Sequence, residues 1–166
     1  VNGNIPGRFS RRQKRTSSAG WTRPSTAKQL ALSRLLVEEL RDLGLDAELT
    51  PNATVFSGLP GVEGAPAVGL IAHVDTTPDV TAAGVTPIVH ERWDGSPIEL
   101  PGDGRQVLDP AQLPELAARV GHDIVTSDGT TLLGADDKAG IAEIMAAVAY
   151  LAKHPERPRC SVRVAF

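Results

Sequence analysis

Only one cysteine, Cys160, stands among the 166 residues. A lone thiol excludes an internal disulfide and any Cys-rich zinc finger, and it gives no reason to place the chain in an oxidising compartment. No run of the sequence approaches the roughly 18 apolar residues that a membrane helix needs. Internal repeats are absent as well, and a cytoplasmic location is the expectation. Acidic residues are missing from the first 24 positions, which hold Arg8, Arg11, Arg12, Lys14, Arg15 and Arg23. Of the 17 Lys and Arg residues, 11 remain in 25–166 against 20 acidic ones, so an acidic body of about −9 lies behind the net charge of −3. A basic segment of this kind can touch nucleic acid or address an organelle, and it has no apolar core for secretion. The bland reading, an unstructured terminus or sequence foreign to the fold, is the one expected. A nucleic-acid partner is therefore not expected. The first residue is Val rather than Met, and an incomplete coding sequence is the expectation.

What is present reads as one soluble α/β domain, with 41% hydrophobic and 22% charged residues. From Ser25 the period is helical: Leu32, Leu36, Leu40 and Leu43 share a face with Leu35 beside them. Ser25 or Thr26 suits the N-cap and Gly44 the stop. Residues 46–50 and 54–56 read as short strands. The uninterrupted apolar run 67–72 reads as a strand covered on both faces, as in the middle of a parallel sheet. Five prolines make 81–120 irregular, with weak strands at 88–89 and 98–100 and a short helix at 114–120. Residues 124–126 and 130–133 flank Ser127–Asp128–Gly129 as a hairpin would. A second helix carries Ile141, Ile144, Met145 and Val148 on one face and ends before Pro155, and 161–166 alternates as a strand. Helices alternating with buried strands mean an αβα sandwich with a mixed, mainly parallel sheet.

Two loops carry chemistry. His73-x-Asp75 follows the apolar strand, at the sheet edge where ligands bind in open α/β folds. An imidazole ligates zinc well when a carboxylate fixes its second nitrogen, and a residue two places on along an extended chain lies on the same side. For the tripeptide alone, an ordinary strand-end histidine with Asp75 capping a turn is the favoured reading, because His-x-Asp is common. In the second loop, Asp136 and Asp137 precede a helix, where carboxylates cap the N-terminus or supply oxygen ligands to a metal. Taken alone, this loop leaves both readings open.

The surrounding residues are more specific. Ala72-His73-Val74-Asp75-Thr76, Ile88-Val89-His90-Glu91 and the stretch from Thr126 through Gly134-Ala135-Asp136-Asp137-Lys138-Ala139-Gly140 to Met145 resemble the co-catalytic zinc peptidases. The longest stretch is similar to the branch of that family that releases residues from tripeptides. Carboxypeptidase G, bacterial dipeptidases and aminoacylase belong to the same family, and dipeptide or acyl-amino-acid hydrolysis is the neighbouring alternative; a non-catalytic remnant whose basic tail binds nucleic acid is the alternative from another class. The resemblance implies that 24–166 is the N-terminal part of a three-layer αβα zinc-peptidase catalytic domain, without its lid and dimerisation domain. It implies His73 as a ligand to one zinc, Asp75 as the carboxylate that orients it, and Asp136 as the bridge between two zincs. Asp137 and Lys138 would support the loop. Two zincs about 3.5–4 Å apart hold a hydroxide and polarise a peptide carbonyl, and zinc brings the pKa of its water to about 7. The implied partner is a short peptide, and the implied complete protein a homodimer.

In that family the general base and the next ligand are adjacent glutamates just after the strand that ends here at Phe166. The expectation is therefore an incomplete ligand set, weak zinc binding and no hydrolysis by these residues alone. Residues 1–23 are unlike the family, as a shifted frame or an atypical start would make them. The final strand is expected at an open sheet edge, with poor solubility as the consequence. His90, His122 and His154 read as structural or surface residues, Cys160 as a small buried one, Trp93 as packing and Glu143 as solvated.

Overall fold

A computed structural model describes residues 26–166. The basic segment 1–23 lies outside the described residues. The chain divides into two compact units, one reaching Val74 and resuming at Glu143–Phe166, the other spanning Asp75–Ala142.

In the first unit, helix α1 (Ala27–Asp42) starts on Thr26, whose hydroxyl accepts from the Gln29 amide while the Gln29 side chain accepts from the Thr26 amide. This reciprocal box satisfies two amide donors that a helix start otherwise leaves open. At the other end the Gly44 and Leu45 amides reach back to the Arg41 and Leu40 carbonyls, with Gly44 at φ +79°. Only a residue free to adopt left-handed φ closes a helix this way without a side-chain clash. The buried stripe is Ser33, Leu36, Val37 and Leu40. Leu35 is 48% exposed, so Val37 and Ser33 take the place beside the stripe that the leucine spacing gave to Leu35. The turn-by-turn drift of a 3.6-residue helix decides between these neighbours.

Beneath α1 lies a four-stranded mixed sheet in the order β1 (Ala47–Leu49), β2 (Val55–Leu59), β8 (Ser161–Ala165), β3 (Ala67–Ile71). The β1–β2 and β2–β8 pairings are antiparallel and β3–β8 is parallel. Val55, Leu59, Val162 and Val164 are buried, with Phe56 and Arg163 exposed between them, which is the alternation of strands sealed on one face. Two expectations are corrected here. Strand β8 is interior, flanked by β2 and β3. Strand β3 lies at one edge among the described residues, with β1 at the other, and has Ile71 79% and Val68 44% exposed. An apolar run without alternation signals a strand free of polar neighbours; which strand lies beside it is set by pairing partners far away in sequence. Cys160 is half-buried rather than enclosed.

The second unit is built from two small ladders. Strand β4 (Ile88–His90) pairs antiparallel with β7 (Ile124–Thr126), and β5 (Ile98–Glu99) with β6 (Val107–Leu108). Trp93, Ile98 and Leu100 form its core with Leu108, Leu116 and Ile124 against them. The Trp93 indole N–H donates to the Ser96 carbonyl at 2.8 Å, so the residue packs and presents no stacking platform. Helix α2 (Pro114–Ala117) is a single turn, shorter than the expected 114–120.

The expected hairpin at 124–133 does not form. Strand β7 turns to β4, 36 residues away, while 127–134 stays irregular. Local side chains explain this. The Ser127 hydroxyl donates to the Thr131 carbonyl at 2.7 Å, and Asp128 accepts from the Thr130 amide and hydroxyl at 2.9 and 2.7 Å. The Asp128 carbonyl also takes the Gly102 amide. Turn groups satisfied in this way compete with a strand ladder. Helix α3 (Ala135–Lys153) follows and has non-helical φ/ψ at Asp136 and Asp137.

Candidate functional site

His73 lies two residues beyond β3 and is exposed. The Ala72 amide just before it donates to the Ala165 carbonyl at 3.2 Å, so pairing with β8 holds the chain up to this point. His73 thus stands at the carboxyl end of a strand that the sheet anchors.

The second unit holds the other four residues. Three links tie the segment 75–81 to 132–138. The Lys138 ammonium donates to the Asp75 carbonyl at 3.4 Å, and the Leu132 amide donates to the Thr81 carbonyl at 2.8 Å. The space beside Gly134 is bounded by the Thr76 methyl, 4.0 Å from where a side chain would begin. Two loops some sixty residues apart in sequence are therefore neighbours (Lys138 and Asp75 are 63 positions apart). The Thr76, Thr81 and Leu132 contacts were not legible beforehand, because backbone-mediated links leave no residue-type signal.

The adjacent carboxylates have different environments. Asp137 is half-buried, and its Oδ1 accepts the Gly140 amide at 3.1 Å. With φ −125° and ψ 40°, it occupies the N-cap of the regular part of α3, which begins at Lys138. Asp136 has φ −91° and ψ 100° and is exposed, and the peptide bond between the two is cis. Of the two readings the sequence left open, capping describes Asp137. Asp136, in extended backbone, precedes the cap.

The donor types suit zinc, one imidazole nitrogen with carboxylate oxygens. Among the described residues, however, no group of three or more His, Cys, Asp or Glu side chains is placed to hold a metal ion. These residues do not make a closed metal centre by themselves.

The remaining histidines have other partners. His90 Nε2 lies 3.1 Å from the Thr126 hydroxyl across the β4–β7 ladder. His154 lies against the Tyr150 ring, with centroids 4.4 Å apart, and its Nδ1 is 3.2 Å from Glu156. His122 is exposed, as is Glu143. Hydrogen bonding lowers the pKa of carboxylates in the second unit. The Thr130 hydroxyl and then its amide hold the Asp128 carboxyl below its ordinary 3.8, and Arg105 does the same for Asp103.

Across 147 residues, 87% of its length, the chain is 49% identical to peptidase T of Staphylococcus aureus strain JH9. Over that span the chain is homologous to peptidase T. It matches peptidase T of strain Newman at 49% over 148 residues. It spans 36% of these relatives, about a third of their length. No family model matches the chain. Among solved structures, a tripeptidase from Staphylococcus aureus Mu50 superposes with a TM-score of 0.53 at 23% identity, covering 81% of this chain and 29% of that one. A likeness at that identity carries the fold alone, a mixed α/β architecture.

Proposed function

We propose that the protein containing this chain removes N-terminal residues from short peptides, tripeptides among them, in a zinc-dependent reaction. The observation that carries this reading is the 49% identity to peptidase T over 87% of the chain. Within it, His73 and Asp136 are the proposed zinc ligands, Asp75 the carboxylate that positions His73, and Asp137 and Lys138 the supports. The Lys138–Asp75 link supports the reading, because it ties the loop of one proposed positioning residue to the loop of one proposed ligand. Residues 24–166 are proposed as part of the catalytic domain. A short-peptide substrate, a cytoplasmic setting and a homodimer of the complete protein belong to the same proposal. No helix among the described residues is long and apolar enough to cross a membrane.

The donor set here is partial, so residues 1–166 alone should bind zinc weakly and cleave nothing. Calorimetric titration with zinc chloride should show weak binding that His73→Ala and Asp136→Asn each remove. Binding that survives both substitutions would remove these two residues from the ligand set. Chelator-sensitive tripeptide cleavage by 1–166 would show that the set is complete after all. With the complete reading frame, chelator-sensitive release of the first residue from tripeptides is expected. A preference for dipeptides or acyl-amino acids would move the activity to a neighbouring branch of the family.

A further inference from the structure

We infer that Gly140 is a positioning residue for Asp136, acting through the Asp137 cap. The inference rests on the proposed role of Asp136 as a metal ligand. Its starting point is a steric fact. A Cβ built on Gly140 would land on the Asp137 carboxylate, against Oδ1 and 2.9 Å from both Cγ and Oδ2. Real Cβ atoms do not approach other heavy atoms that closely. The Asp137 side chain fills the volume that any other residue at 140 would occupy, and from there its Oδ1 takes the Gly140 amide at 3.1 Å.

The sequence pays an apparent penalty at this position. Glycine near a helix start costs backbone entropy, and alanine would favour the helix by up to about 1 kcal/mol. The structure supplies the compensation. A half-buried carboxylate folded onto the first turn satisfies an amide that the helix itself leaves open. Asp137 can reach that amide only with non-helical φ/ψ, and its backbone is −125°, 40°. Asp136 is bonded directly to this fixed residue and continues in extended backbone at −91°, 100°. The cap therefore sets where the chain leaves the helix, and with it where the Asp136 carboxylate begins. On the other side, the Lys138 amide donates to the Gly134 carbonyl at 3.3 Å and closes the loop around both acids.

The two adjacent acids then divide the work. Asp137 faces the helix and is partly shielded, while Asp136 is exposed before the helix begins. Replacing Gly140 by alanine should evict the Asp137 side chain, which is flexible enough to turn away, and leave the helix intact. What changes is the exit path of the chain at Asp136.

The test is heteronuclear NMR on the full chain carrying Gly140→Ala, Asp137→Ala, Asp137→Asn or the double substitution Gly140→Ala/Asp137→Ala. In Gly140→Ala and Asp137→Ala, the amide at 140 should exchange roughly five- to thirtyfold faster, the factor that loss of an N-cap carries. The Asp136 carboxyl carbon should also move in both. Asp137→Asn, an equally good cap, should keep the wild-type Asp136 signal. The double variant should match Asp137→Ala, since alanine at 140 has nothing left to displace. An unmoved Asp136 signal in Gly140→Ala, or effects that simply add in the double variant, would overturn the inference. Zinc chloride added to the wild-type chain tests the underlying reading separately. If zinc leaves the Asp136 carboxyl signal unchanged, the ligand role falls, whereas the positioning of Asp136 stands or falls on the zinc-free spectra.

Discussion

Leu35 and Leu40 are both leucines on α1, five residues apart, and the structure gives them opposite weights. Leu40 is 0% exposed and Leu35 48% exposed. Truncation of Leu40 to alanine removes buried methyl groups under β1 and β2, against which α1 packs. Large-to-small changes of this kind cost about 2–5 kcal/mol, the spread reflecting how far the cavity collapses. Complete burial of a leucine is worth about 1.5–3 kcal/mol relative to exposure. A half-exposed one has roughly half of that to lose, and alanine returns a little through its higher helix propensity. Leu35→Ala should therefore cost less than about 1 kcal/mol. Urea unfolding followed by circular dichroism at the helix band reads both variants. With a slope of about 1–3 kcal/mol per molar urea, a 3 kcal/mol loss lowers the midpoint by roughly 1–3 M. Leu35→Ala should stay within a fraction of that shift. Equal costs for the two variants, or a larger cost at Leu35, would refute the placement of this helix on the sheet.

Two further outcomes follow from particular hydrogen bonds. The buried Ser33 hydroxyl donates to the Ala53 carbonyl at 2.8 Å, so Ser33→Ala should destabilise by about 1–3 kcal/mol through a stranded carbonyl, while exposed Arg34→Ala stays within about 0.5 kcal/mol; urea midpoints compare them. For Asp128, the Thr130 hydroxyl and amide depress the folded pKa below 3.8. Its contribution is thus present above the unfolded value and lost as pH falls through the lower folded one. The stability gap between wild type and Asp128→Asn should be flat between about pH 5 and 8 and close in stronger acid. A gap that instead closed between pH 5 and 8 would assign the effect to another group.

Much of the fold was legible from local rules. Thr26 before the first turn and Gly44 after the leucine stripe mark the ends of α1 through groups within four or five positions of each other, and the structure added the Gln29 half of the capping box. The alternation Val162, Val164, Phe166 marks β8 because strand period and burial act residue by residue. The motif around Asp136 was also legible, since its residue types and spacing are themselves the signal. An Asp three places before a glycine at a helix start was the available sign of the Asp137 cap, although both readings of the paired acids stayed open.

The tertiary structure decided what depends on distant partners. Strand β8 became interior and β3 an edge because β2 and β3, more than ninety residues earlier, take its two sides. The stretch 130–133 stayed out of a ladder because Ser127, Asp128 and Gly102 satisfy its turn, and β7 found β4 instead. The Lys138–Asp75 and Leu132–Thr81 links join two loops through backbone carbonyls, which every residue type possesses and no sequence pattern marks. By itself, then, the sequence determined where α1 begins and ends, that Val162, Val164 and Phe166 alternate, and which residue types could hold a metal, because these follow from chemistry a few positions apart. Which strands lie at the edges, which leucine is buried and which of two adjacent carboxylates caps the helix came only from the folded chain, where distant residues compete for the same space.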